Sequence, residues 1–156
     1  MINSEILLKN NITEREDFQK SKLIFEDLID HMKMPEVQSR LEDTHKLNAL
    51  SSQIQEIILN KAMELGFKSE KTGLFENYPV KQLRPDYFLD LKNKKGITME
   101  VERGKTIANN MDLLDLWKCH ICENANYLFL IVPNIRQTAK GGKNIIFETV
   151  KRRITT

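Results

Sequence analysis

The stretch Arg84 to Lys105, RPDYFLDLKNKKGITMEVERGK, constrains this chain more than any other, because acidic side chains recur there inside strand-forming sequence. In Ile97-Thr98-Met99-Glu100-Val101-Glu102, the apolar Ile97, Met99 and Val101 hold one parity and Thr98, Glu100 and Glu102 the other. A strand therefore turns its apolar three to a core and both glutamates to the opposite face. In Asp86-Tyr87-Phe88-Leu89-Asp90-Leu91, Asp86, Phe88 and Asp90 share one parity and Tyr87, Leu89 and Leu91 the other. The connecting Lys92-Asn93-Lys94-Lys95-Gly96 is polar and ends in glycine, as a short hairpin loop with a residue at positive φ requires. Pairing Leu91 with Ile97 sets Asp86 across from Glu102, with Glu100 on the diagonal, so three carboxylates converge on one patch.

Carboxylates opposed across a sheet repel by up to about 1 kcal/mol, and burying them without a compensating cation or donor costs several times that. Convergence therefore argues for a bound cation. Oxygen ligands with no His or Cys among them suit Mg²⁺ or Mn²⁺. An ordinary solvated strand face carries the same alternation.

Pro85-Asp86, a turn, and then Glu100-Val101-Glu102 resemble the motif of the PD-(D/E)xK nuclease superfamily, with Glu102 where most members have Lys. That E-x-E form resembles type II restriction endonucleases of the BamHI and BglII kind. The resemblance continues through EVERGKTIANNMDLLDLW and YLFLIVP as motif strand, turn, helix and next core strand, and it covers residues 84 to 133. It implies an α/β fold with a restriction-endonuclease-like core: a mixed β-sheet flanked by helices, preceded by an N-terminal helical portion. It implies a metal-dependent endonuclease acting on DNA, with Asp86, Glu100 and the Val101 carbonyl holding Mg²⁺ or Mn²⁺. Glu102 is then the group that orients or deprotonates the attacking water. Glu56, on the helix before the motif strands, stands where the family often adds a glutamate to the metal site. In place of the missing motif lysine, Lys105 or Lys118 would supply positive charge. A palindrome-cutting enzyme of this kind acts as a homodimer. Relatives without sequence specificity, such as repair or phage nucleases, or a DNA-binding module that keeps the fold, are the other implied readings.

With 156 residues the chain has the length of one domain. Lys and Arg total 24 against 22 Asp and Glu, so any nucleic-acid surface is local. The basic clusters are Lys92, Lys94 and Lys95; Arg103 and Lys105; and Lys140, Lys143, Lys151, Arg152 and Arg153. No apolar run reaches the ~20 residues that a membrane span needs, and the first residues lack a secretory pattern, so a cytoplasmic location is expected. Cys119 and Cys122 carry C-x-x-C spacing, but no second ligand pair accompanies them, and a packing role is expected.

In chain order, the N-terminal helices are expected over about 13–66. A Thr13/Glu16 capping box opens the first, with Phe18, Leu23, Phe25, Leu28, Ile29 and Met32 as its apolar side, broad enough to invite a partner copy. Pro35 starts the next helical stretch, and residues 47–65 form a further helix closed by Gly66. The motif core spans about 74–133. A short strand is expected at 74–75 or 80–83, a helix from Asn109 or Asn110 to about Glu123 burying Leu114, Trp117 and Ile121, and a buried central strand from Tyr127 to Val132. A C-terminal element occupies about 144–154, a closing helix or, over 145–147, a strand.

Overall fold

A computed structural model describes residues 1–8, 12–45, 50–69, 83–103, 106–138 and 140–155. Three helices come first: α1 (Glu16–Lys33), α2 (Pro35–Thr44) and α3 (Ser51–Glu64). They are followed by β1 (Lys68–Ser69), β2 (Tyr87–Lys92), β3 (Lys95–Val101), α4 (Met111–Ile121), β4 (Tyr127–Ile131), β5 (Ile135–Gln137), β6 (Lys143–Ile145) and α5 (Phe147–Ile154). The larger sheet has the order β1-β2-β3-β4. Its first two pairings are antiparallel and β3–β4 is parallel, with α4 as the crossover. The fold is thus α/β with a mixed sheet. β5 and β6 form a separate antiparallel pair.

Alternation along β3 works as the sequence requires on one face. Ile97, Met99 and Val101 join Leu28, Met32, Ile54, Ile58, Ala62, Phe67 and Phe129 in the main core, beneath the N-terminal helices. The opposite face is covered too, because Phe88 packs with Cys119, Cys122 and Ala125 under α4. Both cysteines are free, buried thiols in that second core. Residues Gly96 through Val101 are consequently all buried.

Pro35 occupies the first turn of α2, and Gly66, at φ +95°, follows α3 as a left-handed terminator. α1 departs from its expected start. Arg15, rather than Thr13, is the N-cap, without a side-chain capping bond, and it pairs with Asp17 at 2.7 Å. Phe18, Leu28 and Met32 are buried within the protein whereas Leu23 is exposed, so this side of α1 is spent on its own sheet. Tyr127 to Ile131 lies at the sheet edge and is mostly half-buried; β2 and β3 are the inner strands. No described strand pairs with β4 on its outer side. The C-terminal element divides into β6 and a shorter α5, and α4 ends at Ile121. The strand expected at 74–75 or 80–82 lies outside the described residues, and Leu83 sits in a short helical turn.

Candidate functional site

The β2–β3 turn fixes the geometry. Lys92, Asn93 and Lys94 all have positive φ, of 73°, 55° and 55°, so the turn closes on Asn93-Lys94 with the twist that two-residue hairpins favour. Lys95 already pairs with Lys92, and an irregularity falls between Asp90 and Lys92. Leu89, rather than Leu91, therefore faces Ile97, and Tyr87 faces Met99. The register differs by two residues from the expected one, which keeps parity while changing partners. Asp86 meets Glu100, not Glu102. Its backbone N–H donates to Glu100 Oε2 at 3.3 Å, and its own Oδ2 accepts the Val101 N–H at 2.9 Å.

Gly96 serves space rather than turn conformation. A Cβ there would stand 2.5 Å from Phe88 Cζ and 2.6 Å from the Asn124 carbonyl oxygen, because α4 and its following loop press onto this face. The same closeness buries Glu100 to 3% exposure.

Helix α4 supplies what the sequence reading missed. Its buried residues are Asp112, Asp115, Lys118 and Cys119, while Leu113, Leu116, Trp117 and Ile121 are exposed. Trp117 and Ile121 thus leave the expected buried stripe, and Trp117 stacks obliquely near His120 at 5.7 Å between ring centroids. The spacing Asp112-x-x-Asp115-x-x-Lys118 was the available signal, since positions three apart share a helix face. Each buried charge finds an opposite one. Arg153 of α5 donates to both Asp112 oxygens, at 2.8 and 3.3 Å, and to Asn110 Oδ1 at 2.7 Å. The Lys118 ammonium lies 3.1 Å from Glu100 Oε1 and 2.8 Å from Asp115 Oδ1. The second contact is an ion pair outside hydrogen-bond alignment, so neither oxygen of the fully buried Asp115 carboxylate receives an aligned donor.

Charge in this pocket is out of balance. Asp86, Glu100, Glu102 and Asp115 influence one another, with Lys118 as the ammonium among them. Burial first, then Asp115 and Asp86, push the Glu100 carboxyl up to about 8 against the pull of Lys118. Burial and the same two aspartates carry Glu102 to about 7. Asp115 is also raised by burial, with Lys118 opposing. For Lys118, burial alone would lower the ammonium; Glu100 and Asp115 outweigh it and keep it charged. The group therefore retains protons at neutral pH that isolated carboxylates would have lost.

Glu102 follows β3, half-buried, and its N–H donates to the Ile131 carbonyl at 2.9 Å. Glu56 is exposed on α3, without a hydrogen bond or ion pair to the carboxylates. Lys105 lies outside the described residues. Among the described residues, no three His, Cys, Asp or Glu side chains converge as a ready metal-binding group. The structure brings together Asp86, Glu100, Asp115 and Lys118 through direct contacts, with Glu102 coupled to them by charge.

No family model, no curated protein and no solved structure matches this chain in comparisons with known proteins.

Proposed function

We propose that the chain is a metal-dependent endonuclease of the PD-(D/E)xK type that hydrolyses DNA phosphodiester bonds, most like a small type II restriction enzyme. The observation that carries this is Asp86 set against Glu100 across the β2–β3 ladder, with a buried ammonium, Lys118, on Glu100. The helix, antiparallel strand pair, crossover helix and parallel strand in sequence also agree with the arrangement that the resemblance implies.

The donor chemistry fits Mg²⁺ or Mn²⁺. The donors beside the Lys118 ammonium are hard carboxylate oxygens, and both Asp115 oxygens are buried without an aligned hydrogen-bond donor. Asp86 and Glu100 would hold the ion together with the Val101 carbonyl. A divalent ion there supplies charge neutralisation at phosphorus and activation of water. This chain's own residues supply the rest. Glu102, titrating near 7, is poised to accept a proton from water at neutral pH. Lys118 supplies positive charge from α4 where the motif strand has none. Lys92 and Lys94 at the hairpin tip and Lys140 and Lys143 around β6 are exposed and available to phosphates.

Incubating supercoiled plasmid with Mg²⁺, Mn²⁺, Ca²⁺ or EDTA tests the reading. Cleavage with Mg²⁺ or Mn²⁺, lost in EDTA and reduced at least ~10³-fold by Glu100→Ala, is expected. Undiminished cleavage by that variant removes these carboxylates from the mechanism. One second reading, a DNA-binding module that keeps the fold without cutting, is favoured by the Lys118 ammonium already seated on Glu100 and Asp115. Salt-sensitive DNA binding without cleavage in any metal would establish it.

A further inference from the structure

Lys118 stands where a metal ion would be wanted. Its ammonium touches Glu100 Oε1 and Asp115 Oδ1 at 3.1 and 2.8 Å, distances proper to an ammonium and too long for Mg²⁺, whose oxygen ligands lie at about 2.0–2.2 Å. Asp115 itself is fully buried, on a helix whose Leu113, Leu116, Trp117 and Ile121 are exposed. A carboxylate placed so, 2.8 Å from the Lys118 ammonium yet with neither oxygen receiving an aligned donor, is held there by charge alone. Asp112, one turn earlier, differs in kind, because Arg153 satisfies both of its oxygens.

We propose that this cluster takes a divalent cation by exchange: Asp115 is a metal ligand supplied by α4, and Lys118 is the resident counter-ion that the metal displaces from Glu100. The proposal rests on the metal-dependent reading above and deepens it. Two cations cannot share the space between Glu100 and Asp115, since a divalent ion and an ammonium in contact with the same oxygens repel strongly at low dielectric. Loss of the ammonium from between the two carboxylates lets them close from ammonium to metal distances. That is why they do not form a metal-ready group while Lys118 holds them. The displaced ammonium stays tethered to α4 beside the site, free to meet an anionic phosphate.

Manganese titration of the full chain, followed by the electron-paramagnetic signal of free Mn²⁺ and without nucleic acid, separates this from a structural ion pair. Asp115→Asn should weaken Mn²⁺ binding at least ~10-fold, the scale of losing a metal-site partner, whereas Asp112→Asn should change it less than ~3-fold. Lys118→Met, by removing the competing cation, should tighten binding at least ~10-fold. Equal weakening by Asp115→Asn and Asp112→Asn would reduce Asp115 to a distant charge and overturn the ligand assignment. Unchanged or weaker binding in a folded Lys118→Met protein would overturn the exchange. Should Lys118→Met not fold, Lys118→Gln, which keeps a donor group for the Glu100 carboxylate without the charge, carries the same expectation. No Mn²⁺ binding by the unaltered chain overturns the proposal as a whole. The expected affinity pattern without any DNA cleavage would sink only the nuclease reading.

Discussion

Raising the pH should destabilise this protein when metal is withheld, the reverse of what structural ion pairs do. Glu100 holds its proton to about 8 in the folded chain, against an ordinary glutamate value of 4.5. Between those values the folded state binds a proton that the unfolded state has released, so stability falls with rising pH. The contribution is fully present below 4.5 and is lost as pH climbs through 8. Each unit in that window is worth about 1.4 kcal/mol, so the span from pH 5.5 to 8 removes roughly 3 kcal/mol. For a chain of this size that is a fall in Tm of about 6–12 °C. Glu102, raised to about 7, adds to the same slope. Asp17, Glu16 and Glu42 have lowered values, so their contributions fail only in acid, below the scanned range. Calorimetry in EDTA from pH 5.5 to 8.5 reads the slope directly. Glu100→Gln keeps an acceptor for Lys118 but cannot ionise, and it should flatten most of the slope and raise Tm at pH 8. A Tm that is constant or rising across the range, or a Glu100→Gln protein with the unaltered slope, would refute the burial argument.

Asp17 accepts two bonds from Arg15, one from the Tyr127 hydroxyl at 2.6 Å and one from Lys95 at 3.2 Å, tying α1 to β3 and β4. Asp17→Asn should cost about 2–4 kcal/mol, visible as a lower urea midpoint with an unchanged slope. Gly96→Ala places a methyl against Phe88 and the Asn124 carbonyl, and overpacking of that kind should cost at least ~2 kcal/mol in a thermal melt; a neutral Gly96→Ala would mean that α4 stands further off than described.

Phe18, Leu28 and Met32 of α1, expected to face a partner copy, are buried within the protein itself, whereas Leu23 on the same helix is exposed. No described helix is long and apolar enough to cross a membrane.

What the sequence determined by itself was parity and punctuation. The two-residue period of β3 places Ile97, Met99 and Val101 against the core and Glu100 opposite, whatever the strand pairs with. That period also survives the two-residue register change, and so Asp86 and Glu100 still meet. Pro35 and Gly66 act through their own backbones, and both mark helix boundaries as read. Tertiary structure decided everything that depends on a second surface. Which residue faces Asp86 followed from the left-handed turn at Asn93-Lys94, which local composition does not specify. Which face of α4 is buried followed from what lay beneath it: apolar periodicity favoured Leu114, Trp117 and Ile121, yet Glu100 on the sheet and Arg153 on α5 provide partners for Lys118 and Asp112. A buried charge is tolerable only beside its opposite, and a helix read alone does not show where that opposite will be.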